Sequence, residues 1–95
     1  MNKADCDKLY KSGTSKLKTG LFAFKFKPDY LGAVDDFTSA GKGYRQVGLP
    51  AKAITCFEKA IECNHALNDY WAEANCYQNI ADIYFYDLKN ANEGL

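Results

Sequence analysis

Residues 34–67 read VDDFTSAGKGYRQVGLPAKAITCFEKAIECNHAL, and this stretch decides the fold. Large and small apolar residues recur at helical spacing on both sides of a break at positions 48–50. They are Phe37, Ala40, Gly41 and Tyr44 before the break, and Ala53, Phe57 and Ala60 after it. Small residues allow two helices to approach closely, and the rings fill the space between them. The stretch therefore predicts an antiparallel helical hairpin.

The same seven residues resemble the 34-residue tetratricopeptide template, with Phe37 in place of Trp and Ala40 in place of Leu. A second, partial copy follows 40 residues later, at Tyr77, Ile80, Ala81 and Tyr84. We therefore predict an all-α fold of tetratricopeptide-like antiparallel helical hairpins, wound as a right-handed α-α superhelix. A hairpin that carries small residues by chance is the alternative.

Length and composition indicate one small domain. The chain has 95 residues, of which 47% are hydrophobic and 25% charged, as in ordinary globular proteins. It contains no apolar run of the roughly 18 residues that could span a bilayer, and its N-terminus lacks the apolar core of a signal peptide. We expect its four cysteines, Cys6, Cys56, Cys63 and Cys76, to be reduced thiols in a cytosolic protein.

The net charge of zero hides an uneven distribution. Residues 1–27 carry seven lysines and two aspartates, whereas residues 28–95 carry five basic and ten acidic side chains. A basic first part suggests an acidic partner, either a membrane surface or an acidic protein. A solvated lysine face is the alternative.

The periodicity predicts helices at residues 3–19, 30–47, 51–63 and 68–87. We divide the chain into a first helix (1–20), a hydrophobic loop (21–29), a first hairpin repeat (30–67) and an incomplete second repeat (68–95). The second helix of that last repeat would start near Ala91 and continue past Leu95. We therefore expect the beginning of a longer helical array, with one apolar side of the fourth helix exposed and self-association at high concentration.

The predicted loop contains an unusually high number of large apolar side chains. Leu21, Phe22, Phe24 and Phe26 fall within six residues, interleaved with Lys25 and Lys27 and followed by Pro28. No second strand exists for them to pair with. The rings either plug the gap between the first two helices or form an interface, and the interleaved lysines favour the interface.

We expect no enzymatic activity, no cofactor and no metal site. His65 is the only histidine, so no histidine-based metal cluster or triad can be assembled. The glycines at 41, 43 and 48 fit neither a dinucleotide nor a phosphate-binding loop. Asp35 and Asp36 are adjacent on a predicted helix, which is more typical of a solvated face than of an acid/base pair.

The groove of a tetratricopeptide unit is lined by its first helix, here by Asp35, Thr38, Lys42 and Arg45. Chaperone-binding members hold a peptide carboxylate with Lys and Asn at the positions filled here by Thr38 and Lys42, so that clamp is absent. Lys42 and Arg45 remain as a basic pair that could meet acidic side chains of a partner. A solvent-facing pair is the alternative.

Longer motifs resemble one family. The runs KTGLF at 18–22 and KFKPDY at 25–30 resemble the start of the soluble NSF attachment proteins, specifically their gamma branch (gamma-SNAP). The resemblance continues through Ala33, Phe37, Ala40, Tyr44, Ala53, residues 58–60, Asn64, residues 72–74 and Tyr77.

This resemblance implies a cytoplasmic, peripheral membrane adaptor of vesicle transport, including transport between endoplasmic reticulum and Golgi. Such an adaptor binds assembled SNARE bundles with syntaxin-type helices and recruits the ATPase NSF, which disassembles them after fusion. It contacts NSF through a C-terminal part that these 95 residues do not contain. The residues at its membrane-contact loop are Leu21, Phe22, Phe24 and Phe26, with Lys18, Lys25 and Lys27 beside them.

Lys42 and Arg45 are the candidates for the SNARE-facing surface. No nucleic-acid partner is expected. The alternative function is a general tetratricopeptide scaffold that binds a protein partner and has no role at membranes or with SNAREs.

Overall fold

The computed structural model describes residues 1–18 and 28–89. These residues form α1 (Lys3–Lys18), α2 (Tyr30–Gln46), α3 (Pro50–Ala66) and α4 (Tyr70–Asp82), which continues into a π-helical segment, Ile83–Leu88. Helix α2 packs against both α1 and α3, and α3 packs against α4. No strand occurs in the described ranges. The all-α prediction of antiparallel helices packed in pairs is confirmed.

The third helix is longer than the predicted span of 51–63. It begins at Pro50, whose missing N–H costs nothing in the first turn, and it is followed by Leu67. The fourth predicted helix, 68–87, is observed as an α-helix and a π-helical segment in succession. A π turn widens the helix and shifts the residues that follow it around the axis.

The connections α2–α3 and α3–α4 have the same structure. Gly48 and Asn68 occupy equivalent positions with φ of 81° and 58°, in the left-handed region that glycine and asparagine adopt most readily. In each turn, three successive N–H groups donate to carbonyls of the preceding helix; the last of them joins Leu49 to Tyr44, and Asp69 to Asn64. Each turn reverses the chain in three residues.

The N-termini of α2 and α4 are also capped alike. The Asp29 carboxylate accepts a hydrogen bond from the Gly32 N–H at 2.9 Å, and the Asp69 carboxylate accepts one from the Ala72 N–H at 3.1 Å. The two caps are 40 residues apart, which is the period of the partial repeat in the sequence.

The core lies where α2 contacts its two neighbours. Phe37 and Phe57 are almost fully buried. A Cβ on Gly41 would lie 3.0 Å from the Phe57 ring, so a larger residue there would require the ring or the helices to shift. Tyr10 of α1 meets Phe37 edge to face, with ring centroids 5.5 Å apart. The sequence pattern thus identified the central packing correctly.

Helix α4 presents two apolar faces, of which one is buried. Cys76 and Ile83 are buried against α3, and Ile80 is partly buried beside them. The aromatic residues on the other side remain more than half exposed: Tyr70, Trp71, Tyr77, Tyr84, Phe85 and Tyr86. Of the residues in the partial repeat, Tyr77, Ala81 and Tyr84 are exposed and only Ile80 is partly buried, so the pattern did not identify the residues by which this helix contacts the core.

Candidate functional site

A groove of about 690 Å³ runs between α2 and α4, with the end of α3 at its base. Three of the residues predicted to line it do so: Asp35, Thr38 and Lys42. Helix α4 supplies the opposite wall with polar side chains, including Asn75, Gln78 and Asn79. The floor contains Asn64, a buried polar residue whose amide donates to the Cys76 sulfur at 3.5 Å.

The first groove adjoins a second one of about 810 Å³, and Lys42 and Asn79 line both. Lys42 is exposed. Among residues 1–18 and 28–89 it forms no salt bridge. Its ammonium group is therefore exposed where the two grooves adjoin, and no carboxylate of the described residues neutralises it.

Arg45, the second predicted basic residue, is already engaged. Its guanidinium binds the Asp87 carboxylate at the wall of the second groove, with Nε 2.7 Å from Oδ2. The carboxylate raises the pKa of Arg45 further above its ordinary value through this hydrogen bond. Asp87 is 42 residues away and lies within the π-helical segment, so helical spacing in the sequence gave no sign of the pair.

The amides on α4 were missed by sequence reasoning. Asn75 and Asn79 are four residues apart, so they lie on the same side of the helix. The Asn79 amide donates to the Asn75 carbonyl at 3.0 Å, which holds that side chain along the groove wall. The i, i+4 spacing of two asparagines was the available signal.

Asp36 is not part of a solvated face, as the sequence had suggested. Its carboxylate accepts hydrogen bonds from Ser12 Oγ at 2.6 Å and Lys16 Nζ at 2.7 Å, and so joins α2 to α1. The hydrogen bond between Lys16 and Asp36 raises the pKa of Lys16. On the other side of α1, the Tyr44 hydroxyl donates to Asp7, which lowers the pKa of that carboxyl.

Most of the predicted membrane-contact residues lie outside the described part of the chain: Leu21, Phe22, Phe24, Lys25, Phe26 and Lys27. Lys18 is exposed at the end of α1. The Asp29 N–H donates to the Lys16 carbonyl at 3.2 Å, so the residues on either side of 19–27 are joined at one place. Within the described residues, no helix has both the length and the hydropathy required to cross a bilayer.

The four thiols are buried and unpaired by disulfides. Burial raises the pKa of Cys56 to about 12 and that of Cys63 to about 11, so both are protonated at neutral pH.

His65 is exposed, with Nδ1 3.4 Å from a Glu73 carboxylate oxygen. In the described ranges, no three potential ligand side chains are close enough together to hold a metal ion.

Comparison with known proteins finds a distant viral relative. The chain is 26% identical over 84 residues to "Soluble NSF attachment protein homolog FPV011" of Fowlpox virus (strain NVSL). The matched region is 88% of this chain and 30% of that protein, so the chain spans less than a third of the relative's length. No protein-family model and no solved structure matches the chain. The similarity points to the SNAP family and does not distinguish its gamma branch.

Proposed function

We propose that this chain is part of a SNAP-type adaptor, of the gamma branch, that binds assembled SNARE bundles at membranes. It has no catalytic role of its own in this proposal. The observation that carries the proposal is the similarity to a viral soluble NSF attachment protein homolog over 88% of the chain. The packed hairpins and the exposed Lys42 in the concave surface support it.

The concave side of α2 and α4 is the proposed contact for the SNARE bundle. A bundle of helices offers carboxylates along its surface, and in this proposal Lys42, which lines the groove, binds one of them. The amides of α4 would add hydrogen bonds, since each carries both donors and an acceptor. Arg45 contributes indirectly in this account, by holding α4 in position through Asp87.

The segment at 19–27 is the proposed membrane contact. Each phenylalanine that leaves water gains about 1.5–3 kcal/mol at most, and each lysine near an anionic surface adds about 1 kcal/mol. Three phenylalanines and Leu21 therefore give weak, reversible binding after the cost of ordering the segment. The Asp29 N–H donates to the Lys16 carbonyl, so the described residues on the two sides of this segment lie together.

Recruitment of the NSF ATPase belongs to the same proposal. The chain spans 30% of the viral relative's length, and the NSF contact is expected in a part of such a protein beyond these 95 residues. The chain alone would bind SNAREs and membrane without supporting NSF-driven disassembly.

Binding to a purified, assembled SNARE bundle tests the proposal. Fluorescence anisotropy of a labelled bundle should show saturable binding that is weakened several-fold by Lys42→Glu and by higher salt. Lys11→Glu, an exposed lysine of α1, is the matched control and should bind as the unchanged chain does. No binding, or an equal loss with both variants, would contradict the assigned surface. If the chain binds unrelated helical proteins with the same affinity as SNARE bundles, a general tetratricopeptide scaffold is favoured instead.

A further inference from the structure

Helix α1 carries a row of lysines that the concave surface does not use. Lys8, Lys11 and Lys18 are exposed. At roughly 100° per residue they fall within about 80° of one another around the axis of α1. Ala4 and Ser15 occupy the same arc, so no acidic residue interrupts this lysine face.

The two carboxylates that border the lysine face are held by other partners. Asp5 accepts a hydrogen bond from the Asn2 N–H at 3.2 Å. Asp7 accepts one from Lys3 Nζ at 2.9 Å and another from the Tyr44 hydroxyl. Within the described part of the chain, the three lysines of the face form no salt bridge. No carboxylate of the described residues therefore neutralises their charge.

The lysine face points away from the other helices. On the opposite side of α1, Cys6 and Gly13 are buried, and Gly13 lies against the Phe37 ring of α2. Helix α3 packs on α2 in turn. Helices that pack together bury apolar residues, and an unpaired ammonium group is costly to bury. The lysine face is therefore not suited to a further helix of the array.

We propose that the lysine face binds the surface of an anionic phospholipid membrane, with α1 lying along that surface. This proposal rests on the proposed function and extends its membrane contact, since Lys18 directly precedes the segment at 19–27. The three lysines span about 15 Å of helix, so their ammonium groups can reach one plane. Their flexible stems allow each to bind a lipid phosphate as a separate point charge.

A membrane fits this face better than an acidic protein does. The core of a stable protein interface is apolar and rich in aromatic residues, whereas this face offers only Ala4 and Ser15 beside its lysines. Helix α1 contains no arginine, the residue that binds carboxylates in a fixed bidentate geometry. A layer of anionic lipid requires neither feature, because it attracts each nearby lysine separately.

Sedimentation with vesicles tests the proposal on the 95-residue chain without SNAREs. The chain should bind vesicles of phosphatidylcholine and phosphatidylserine. Lys8→Ala with Lys11→Ala should weaken that binding at least ~10-fold, since each lysine near an anionic surface contributes about fivefold. Lys52→Ala with Lys59→Ala, which removes two positive charges from α3, is the matched control. It should change the affinity by less than about twofold, because salt screens charges beyond ~10 Å.

The outcomes separate this proposal from the proposed function. If Phe22→Ser with Phe24→Ser abolishes vesicle binding and the Lys8 and Lys11 variant binds as the unchanged chain does, the lysine face is overturned and the contact at 19–27 stands. If the lysine variant binds vesicles normally and a SNARE bundle in solution more weakly, the face binds an acidic protein and the proposal is overturned. If the unchanged chain binds no vesicles, both membrane contacts fail, and SNARE binding in solution is judged separately.

A fluorescent probe tests the orientation of α1. An environment-sensitive dye attached to Ala4→Cys, on the lysine face, should shift its emission to the blue when vesicles containing phosphatidylserine are added. The same dye on Ala51→Cys, at an exposed alanine of α3, should not. The four native thiols are buried, so the added cysteine takes the dye. An equal shift at both positions, or no shift at Ala4, would overturn the placement of α1 along the membrane.

Discussion

The Arg45 guanidinium binds the Asp87 carboxylate through two hydrogen bonds, from Nε to Oδ2 at 2.7 Å and from Nη2 to Oδ1 at 3.1 Å. This pair joins α2 to the π-helical segment after α4. Two parallel hydrogen bonds fix direction as well as distance. The pair therefore links α2 directly to the segment that continues α4, and these elements form the two walls of the concave surface.

Removing the charge of Asp87 should loosen this link. We expect Asp87→Asn to lower the free energy of unfolding by about 1 kcal/mol, because the pair is only partly buried and solvent screens it. Urea denaturation measures the change, and Glu58→Gln, an exposed carboxylate of α3, is the control. A double-mutant cycle with Arg45→Gln should give a coupling of at least about 0.5 kcal/mol. A coupling of zero would mean that the pair does not hold α4.

Gly41 should tolerate no larger residue. Gly41→Leu puts a side chain into the Phe57 ring, and we expect a loss of stability of about 1–3 kcal/mol or failure to fold. Ser39→Leu, an exposed position of the same helix, should change stability by less than about 0.5 kcal/mol. Thermal unfolding followed by circular dichroism compares the two. Equal effects would show that α2 and α3 are not in close contact at Gly41.

The buried thiols should make the protein sensitive to alkali. The pKa of Cys56 is raised from 9.0 to about 12 in the folded state. Between these two pH values, the Cys56 thiol is protonated in the folded chain and deprotonated in the unfolded chain. The resulting stability is complete below about pH 9 and declines as the pH rises from there towards 12. Urea denaturation at about pH 8 and about pH 10.5 measures the decline, which Cys56→Ala should reduce. A stability that does not change between these conditions would contradict the burial of this thiol.

The sequence predicted the packing between neighbouring helices well, because close contact imposes small residues at fixed spacing. Gly41 and Phe57 are an example: each is recognisable from its position in the pattern, and they meet in the core. The cap at Asp29 follows a rule of the same kind, since a side-chain acceptor before a helix satisfies a free N–H. Local rules of this kind depend on a few adjacent residues.

Interactions between distant residues were not predictable in the same way. The Arg45–Asp87 pair depends on the angle between α2 and α4 and on a π turn, and neither is encoded by local spacing. The sequence indicated a surface carboxylate at Asp36, because it does not show that α1 brings Ser12 and Lys16 into contact with it. The roles proposed for Leu21, Phe22, Phe24 and Phe26 stay predictions, since these residues lie outside the described ranges.

In the proposed function, one chain binds SNARE bundles and membrane together. The most direct measurement compares its affinity for an assembled SNARE bundle anchored in anionic liposomes with its affinity for the same bundle in solution. We expect tighter binding on liposomes, and Phe22→Ser with Phe24→Ser should abolish that difference while leaving the solution affinity and the helical spectrum unchanged. Tyr77→Ser with Phe85→Ser, which changes two exposed aromatic residues that line neither groove, should preserve the difference. Equal affinity of the unchanged chain for the anchored and the soluble bundle would contradict the proposed membrane contact.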